Sequence, residues 1–337
     1  MEDYDIWHEF SLMSNGSNAS YYDYYFFYEE SVLETFLKWF EALCVMPIGV
    51  IGNILVLCVL LRKKYRKSST AVFFSFLAIS DIIILITGIY ILFTVRMSDK
   101  IECKIFTSIW LSSGQLSSCI LATIATERAF SVLFPHRAKF VFTARNAKLI
   151  MATVTSGVFG LNAALIVSYD VGGDKLFEEM YCPSDDLLLS SIVHVYPWVD
   201  FSLGFAIPFM VILVCSVIII LKLRPAIFAQ KKEDRKVSSV TKTLLSTNAC
   251  FLITLAPSRI YNIIYPIPLE DEEGFHTFVA FSTLSQVNAA ANFFLYFLNA
   301  PVFRADVRQL YCSKPKAKGG SKVTKSTSQC GNIISNE

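Results

Sequence analysis

The residues that could do chemistry in this chain sit inside long apolar stretches. Asp81 is a lone carboxylate in such a stretch, a costly placement that usually marks function. Ser285, Asn288 and Asn292 recur at i, i+3 and i+7, and Ser113 and Ser117 at i, i+4, so each set forms one polar stripe on a helix. A carboxylate with hydroxyl and amide oxygens around it is a hard-cation site; the alternative is a hydrogen-bonded core network around a neutral Asp81. Twenty-five residues separate Cys103 from Arg128. At a rise of about 1.5 Å per residue that is one tilted bilayer crossing. One helix can then hold a thiol at one membrane face and the Glu127-Arg128 pair at the other. Asp200 lies about two turns outside Pro208, and Arg259 lies just outside Pro257. A lipid-facing charge is expensive, so both should face the interior, paired with each other or meeting a ligand. The four histidines, His8, His136, His194 and His276, are scattered. They lack the His-Glu-x-x-His spacing of a metal-dependent enzyme.

The elements that position these groups follow from composition. Of 337 residues, 54% are hydrophobic and only 17% charged, where a soluble domain carries nearer a quarter charged. Seven apolar segments run over 37–61, 71–95, 103–134, 147–168, 195–223, 243–266 and 276–300. Most can span a hydrocarbon core as helices, the only reasonable reading for runs this long in lipid. The expected fold is therefore an all-α membrane protein, a seven-transmembrane helix bundle. Residues 1–30 are acidic and aromatic, with no basic cap before an apolar run, so they do not read as a cleavable signal peptide. A transporter would need paired broken helices and internal repeats, which the sequence does not show.

Charge sets the orientation. Residues 62–67 hold five basic residues in six, and further Lys and Arg fall in 136–148, 222–242 and the C-terminal tail. The positive-inside rule makes these segments cytoplasmic. The opposite side is acidic. Residues 1–36 hold eight carboxylates and no Lys or Arg, and 170–186 hold six carboxylates and one Lys. Two glycosylation acceptors, Asn15 and Asn18, lie on that same side. The expected organisation is an extracellular acidic tail over 1–36, a membrane domain over 37–312 and a cytoplasmic Ser/Thr/Lys-rich tail over 313–337, in the plasma membrane. Cys103 and Cys182 fall near the outer face, where oxidation is allowed. A bond between them would tether the 169–194 loop across the bundle; two free thiols are the alternative. Cys312, just past the last helix among basic residues, is a candidate for palmitoylation.

Taken in order, these residues resemble the rhodopsin-like G-protein-coupled receptors. The likeness rests on Gly52-Asn53, Leu77-Ala-Ile-Ser-Asp81, Cys103, Glu127-Arg128, Pro208, Pro257 and Asn292-Phe-Phe-Leu-Tyr296, and covers about residues 37–312. It implies a short amphipathic eighth helix over 301–312. It implies a sodium ion held by Asp81, Ser117, Asn288 and Asn292, favouring the resting state, with no other cofactor. It also implies a cytoplasmic switch at Glu127, Arg128 and Tyr296, in which the acid holds the arginine at rest, and a hinge at Pro208, Phe251 and Pro257. The implied partners are an extracellular ligand, a heterotrimeric G protein, arrestin, receptor kinases and membrane lipid, with no nucleic acid.

Several positions depart from the family's pattern. No acid stands across from Arg128 at the start of the sixth helix. Leu255 replaces the usual tryptophan, Phe293 the usual proline of the seventh helix, and Ser216 a tyrosine of the fifth. Pro257 still removes a backbone hydrogen bond and should kink its helix. In the outer cavity, Trp110 occupies the position of an amine-binding carboxylate, which disfavours small amines. Gln286 stands where opsins carry the retinal lysine, which disfavours a photoreceptor. Asp200, Arg259, Tyr261 and Asn262 join Trp110 and Gln286 as candidate ligand-binding residues, with Trp198 and Tyr90 less supported. The acidic exterior concentrates cations, so a basic neuropeptide or peptide hormone is the expected ligand. A chemosensory receptor for a small molecule is the alternative, and a multi-pass transporter is the rival of a different class. The tyrosines among acids over 21–30 resemble sulfated segments of peptide receptors, with an unmodified acidic tail as the alternative.

Overall fold

The computed structural model describes residues 32–93, 100–168, 195–229, 234–265, 272–299 and 304–308, with side chains inside these ranges except near several helix ends. Long helices account for nearly all of it, since helices satisfy their own backbone groups in lipid. We label them α1 (Val32–Leu60), α2 (Ser69–Phe93), α3 (Lys100–Leu133), α4 (Ala144–Ser168), α5 (Val195 to Ala229), α6 (Asp234–Ile264) and α7 (Glu272–Asn299). A short helix, Pro135–Val141, follows α3, and residues 304–308 are helical after α7. The seven expected segments are all present. Several run past their apolar limits: α6 starts at Asp234 rather than near 243, and α5 continues to Ala229. Helices extend beyond the hydrocarbon, where hydropathy no longer marks them.

The outside of the bundle is apolar, and polar side chains are buried alongside its apolar core. Ile51, Ile54, Ile79, Ile86, Met210, Val214 and Ile253 are exposed, whereas Asn53, Asp81, Gln115, Asn162, Asp200, Asn288 and Asn292 are buried. Contiguous apolar exposure on this scale marks a lipid-facing surface. Val32–Leu60, Ser69–Phe93, Ile105–Leu133 and Val195–Lys222 are long and apolar enough to cross a membrane by that measure alone. α3 packs against α2, α4 and α5, and α7 against α1 and α6. The main core, with Phe73, Leu77, Ile120, Met151, Ile219 and Phe251 at its centre, joins α2 through α6.

Two local features position the site. α1 and α5 each contain a π turn, Glu41–Val45 and Ser202–Ala206, and a proline follows within two residues, Pro47 and Pro208. Proline donates no backbone hydrogen bond, so the preceding carbonyl loses its usual partner and a wider turn is tolerated there. α7, by contrast, is one continuous helix through Phe293. Gly52 of α1 makes room for that ring, since a Cβ on Gly52 would come within 2.7 Å of it. α1 also starts at Val32, so residues 32–36, expected to belong to the tail, are helical. Glu34 turns inward there, to Lys38 at 2.6 Å and His276 at 3.4 Å.

Candidate functional site

We call the end of the bundle that the charge pattern assigns to the outside the outer end. Near it, α5 and α6 bring Asp200 and Arg259 together. Asp200 is 3% exposed and Arg259 7%, and an Nη of Arg259 donates to Asp200 Oδ2. The sequence left open whether they pair; the structure pairs them. The π turn at Ser202–Ala206 sets which way Asp200 faces, and two glycines leave room for the guanidinium. A Cβ on Gly204 would lie 3.4 Å from Arg259 Cζ, and one on Gly114 3.3 Å from its Nη2.

Sequence reasoning missed the groups around this pair. Gln115 of α3 donates to Asp200 Oδ1 at 2.9 Å. Asn162 of α4 donates to Gln115 Oε1 at 2.8 Å, and the Tyr196 hydroxyl donates to Asn162 Oδ1 at 2.8 Å. A chain of buried polar groups thus runs from α4 through α3 to α5 and α6. Gln115 and Asn162 were visible as isolated amides in apolar stretches, a signal of the same kind as Asp81, but only tertiary packing shows that they meet. Arg259 Nε is buried without a hydrogen-bond partner, so the chain keeps unused donor capacity.

The other outer candidates are dispersed. Gln286 is 3% exposed, and its amide lies where a Cβ on Gly88 would fall. Trp110 packs with Val45, Leu85 and Ala290 between α1, α2 and α7. Tyr261 is buried edge-on to Phe281, and Asn262 is half-buried. Tyr90 stacks on Phe106. Trp198 is 57% exposed, so it contributes little to an enclosed site.

Deeper, Asp81 is fully buried. Ser117 donates to its Oδ1 at 2.7 Å and Asn292 to its Oδ2 at 2.9 Å. Asn288, expected among the same ligands, turns away: its amide donates to Thr254 on α6 at 2.9 Å. The structure therefore gathers three of the four residues. The set still fits a hard monovalent cation, because the Ser113 hydroxyl one turn from Ser117 is buried and unpartnered. Asp81, Ser113 and Ser117 would hold such an ion, which would supply the positive charge that this carboxylate lacks.

Below this level, Phe251 is fully buried and stacks on Phe205 and Phe209 of α5, with centroids 5.8 and 6.3 Å away. The hinge residue is thus clamped to the segment flanking Pro208. Pro257 lies inside α6, which continues past it to Ile264.

At the inner end the structure corrects one expectation. Glu127 does not hold Arg128. Ser69 and Thr70, at the start of α2, donate to its carboxylate instead, while Arg128 is exposed. Glu127 faces α2 hydroxyls within reach, and the guanidinium keeps its hydration. Beside them, Asp306 gathers the Tyr65 hydroxyl, Lys64 Nζ at 3.1 Å and Arg62 at 3.7 Å. The Tyr65 hydroxyl, helped by Lys64 and Arg62, holds the Asp306 carboxyl below the usual carboxylate range despite its burial. The α1–α2 connection is thereby fastened to residues 304–308. Cys103, Tyr296, Cys182, Asn15, Asn18 and Cys312 lie outside the described side chains.

Separate clusters of buried polar groups along an apolar bundle suit a device that links its two ends. A family model described as "7 transmembrane receptor (rhodopsin family)" matches residues 52–296, well over half the chain. The chain belongs to the rhodopsin family. It is therefore a multi-pass membrane receptor that signals through G proteins. Within this receptor, Asp81 and its partners, the phenylalanine clamp and Glu127-Arg128 lie between the Asp200–Arg259 pair and the opposite end of the bundle.

Proposed function

We propose that this receptor binds a basic neuropeptide or peptide hormone at its outer end and activates a heterotrimeric G protein at its inner end. The buried Asp200–Arg259 pair carries this reading. Burying a pair of charges costs several kcal/mol per ion before their attraction offsets it. In a membrane bundle such a placement is a functional site by default. A ligand group that displaces one member of the pair would change how α5 and α6 are held together. The phenylalanine clamp then couples that change to the inner half of α6, which Pro257 frees to pivot. The acidic outer segments favour a cationic ligand by steering. The N-terminus lies outside and the basic C-terminal tail inside. That tail carries Ser321, Thr324, Ser326, Thr327 and Ser328, whose phosphorylation by receptor kinases would recruit arrestin. A sodium ion at Asp81 holds the resting arrangement, and a Cys103–Cys182 bond tethers the outer loop.

The test is nucleotide exchange on purified G protein by the receptor in lipid discs, screened with amidated and basic peptides against small metabolites. Basic peptides are expected to stimulate exchange, and Arg128→Ala is expected to lower it at least about tenfold, the loss of one transition-state contact of about 1.4 kcal/mol. Full exchange by Arg128→Ala would contradict the switch assignment. Stimulation by small metabolites alone would contradict the peptide.

A further inference from the structure

The outer half of this bundle buries three carboxylates among its described residues, and they are not equally satisfied. Asp200 faces Arg259. Glu34 faces Lys38 at 2.6 Å and His276 at 3.4 Å. Glu41 has neither. It is 2% exposed, and its one partner is the Thr283 hydroxyl of α7, which donates to Oε2 at 2.9 Å. Among the described residues no lysine, arginine or histidine pairs with it, because the nearest cation on its own face, Lys38, is held by Glu34.

Its position gives that imbalance a direction. Glu34, Lys38 and Glu41 recur at i, i+4 and i+7 on α1, and His276 and Thr283 at i and i+7 on α7. Each set is one helix face, and the two faces meet in a polar seam. Glu41 lies at its deep end, about 14 Å along the helix from Val32. It opens the π turn of α1, Glu41–Val45, the same local device that aims Asp200 on α5. Val45 at the far end of that turn packs in one cluster with Trp110. The seam therefore ends beside Trp110, one of the residues expected to bind ligand. An isolated buried carboxylate is among the most expensive groups a protein can hold, and pairing with a hydrogen-bonded cation is what relieves the cost.

We propose that Glu41, with Thr283, is the subsite that accepts a cationic group of the ligand, an alkylammonium or guanidinium. The assignment rests on the reading of the outer end as the ligand site, and it adds a cation anchor at the α1–α7 seam to the α5–α6 pair. The guanidinium or ammonium donates to the Glu41 carboxylate, and Thr283 holds that carboxylate in place. Asp200, already filled by Gln115 and Arg259, offers no such vacancy.

The experiment uses the purified full-length receptor and butylguanidinium as the probe, with butylurea as its uncharged isostere. The readout is the thermal unfolding midpoint across a probe titration. Butylguanidinium is expected to raise the midpoint and butylurea to leave it unchanged. Glu41→Gln is expected to weaken the apparent affinity for butylguanidinium by about tenfold or more, the scale of one charge-assisted hydrogen bond. Thr283→Val, which keeps the carboxylate, is expected to weaken it less. On the wild-type chain, labelling of Glu41 by a hydrophobic carbodiimide, followed by mass spectrometry, is expected to fall when butylguanidinium is present. An undiminished shift in Glu41→Gln, an equal shift from butylurea, no shift from either, or labelling that butylguanidinium does not slow would overturn the assignment. None of these readouts involves a G protein. A receptor that binds the probe at Glu41 but catalyses no exchange would contradict the signalling reading and leave this one standing.

Discussion

Removing one member of the Asp200–Arg259 pair is a different perturbation from removing both. Asp200→Asn leaves a buried guanidinium without its counter-charge and is expected to destabilise the receptor by about 3–5 kcal/mol. The double change Asp200→Asn/Arg259→Gln removes both charges and is expected to recover most of that loss. Thermal unfolding of the detergent-purified variants reads the difference; an equal loss in the double variant would mean that the unpaired guanidinium is not what destabilises the single variant. At this scale the sequence was legible where a residue is unusual by itself. Asp81, Asp200 and Arg259 announce themselves as charges in apolar helices, and Ser117 and Asn292 fall on stripes that point at Asp81. Asn288 shares the stripe yet bonds Thr254, because i, i+4 spacing fixes a face only to within a wide sector and α6 also borders it. Glu41 was not legible. It sits only a few residues beyond an acidic tail, and its burial depends on α7 lying across it.

Elements connect these residues, and connections between them are the harder part to read. The seven segments follow from hydropathy, but their ends do not, since α5 and α6 continue into polar sequence where no apolar signal remains. Pro208 and Pro47 could be read as irregularities; that each would produce a π turn rather than a simple kink could not, because the choice depends on which side chain the neighbouring helices require inward. The fastening of the α1–α2 connection to residues 304–308 was invisible for the same reason, with Asp306 one carboxylate among many polar residues. Its chemistry gives a pH dependence. A carboxyl whose value is depressed in the folded state contributes stability above the ordinary carboxylate range, and that contribution disappears as pH falls through the lowered value. Protection of the amides over residues 62–66, relative to their intrinsic exchange rates, is therefore expected to hold at neutral pH and to fall only below about pH 4. In Asp306→Asn their exchange is expected to be several-fold faster at neutral pH, with no further acid step. Exchange in the wild type that quickens on raising the pH through neutrality, beyond the intrinsic rate, would contradict the clamp.

The molecule as a whole is a bundle with an apolar outside and with polar groups buried along its axis beside an apolar core, and this much was open to sequence reading from composition and charge placement. The axis itself was only partly so. Its lower half falls on residues that resemble the motifs of the rhodopsin family, whereas the Gln115–Asn162–Tyr196 chain and the α1–α7 seam fall on residues whose contacts no motif marks. The departures fit that picture. With Leu255 in place of a tryptophan, the stack of Phe251 on Phe205 and Phe209 joins α5 to α6 in addition to the Asp200–Arg259 pair. With Phe293 in place of a proline, Gly52 lets α7 run straight against α1. The proposed link between the two ends is a pivot of α6 about Pro257. The inner end near Lys242 lies about 22 Å from that proline along the helix, so a tilt of about 20° moves it by about 8 Å. The most direct test is the distance between spin labels at positions 139 and 242, measured by pulsed electron resonance in lipid discs with and without nucleotide-free G protein. A population lengthened by several ångströms is expected when G protein is present and to vanish when GTP releases it. An unchanged distribution, in a sample where G-protein binding is shown independently, would contradict the claim that this receptor signals by tilting α6.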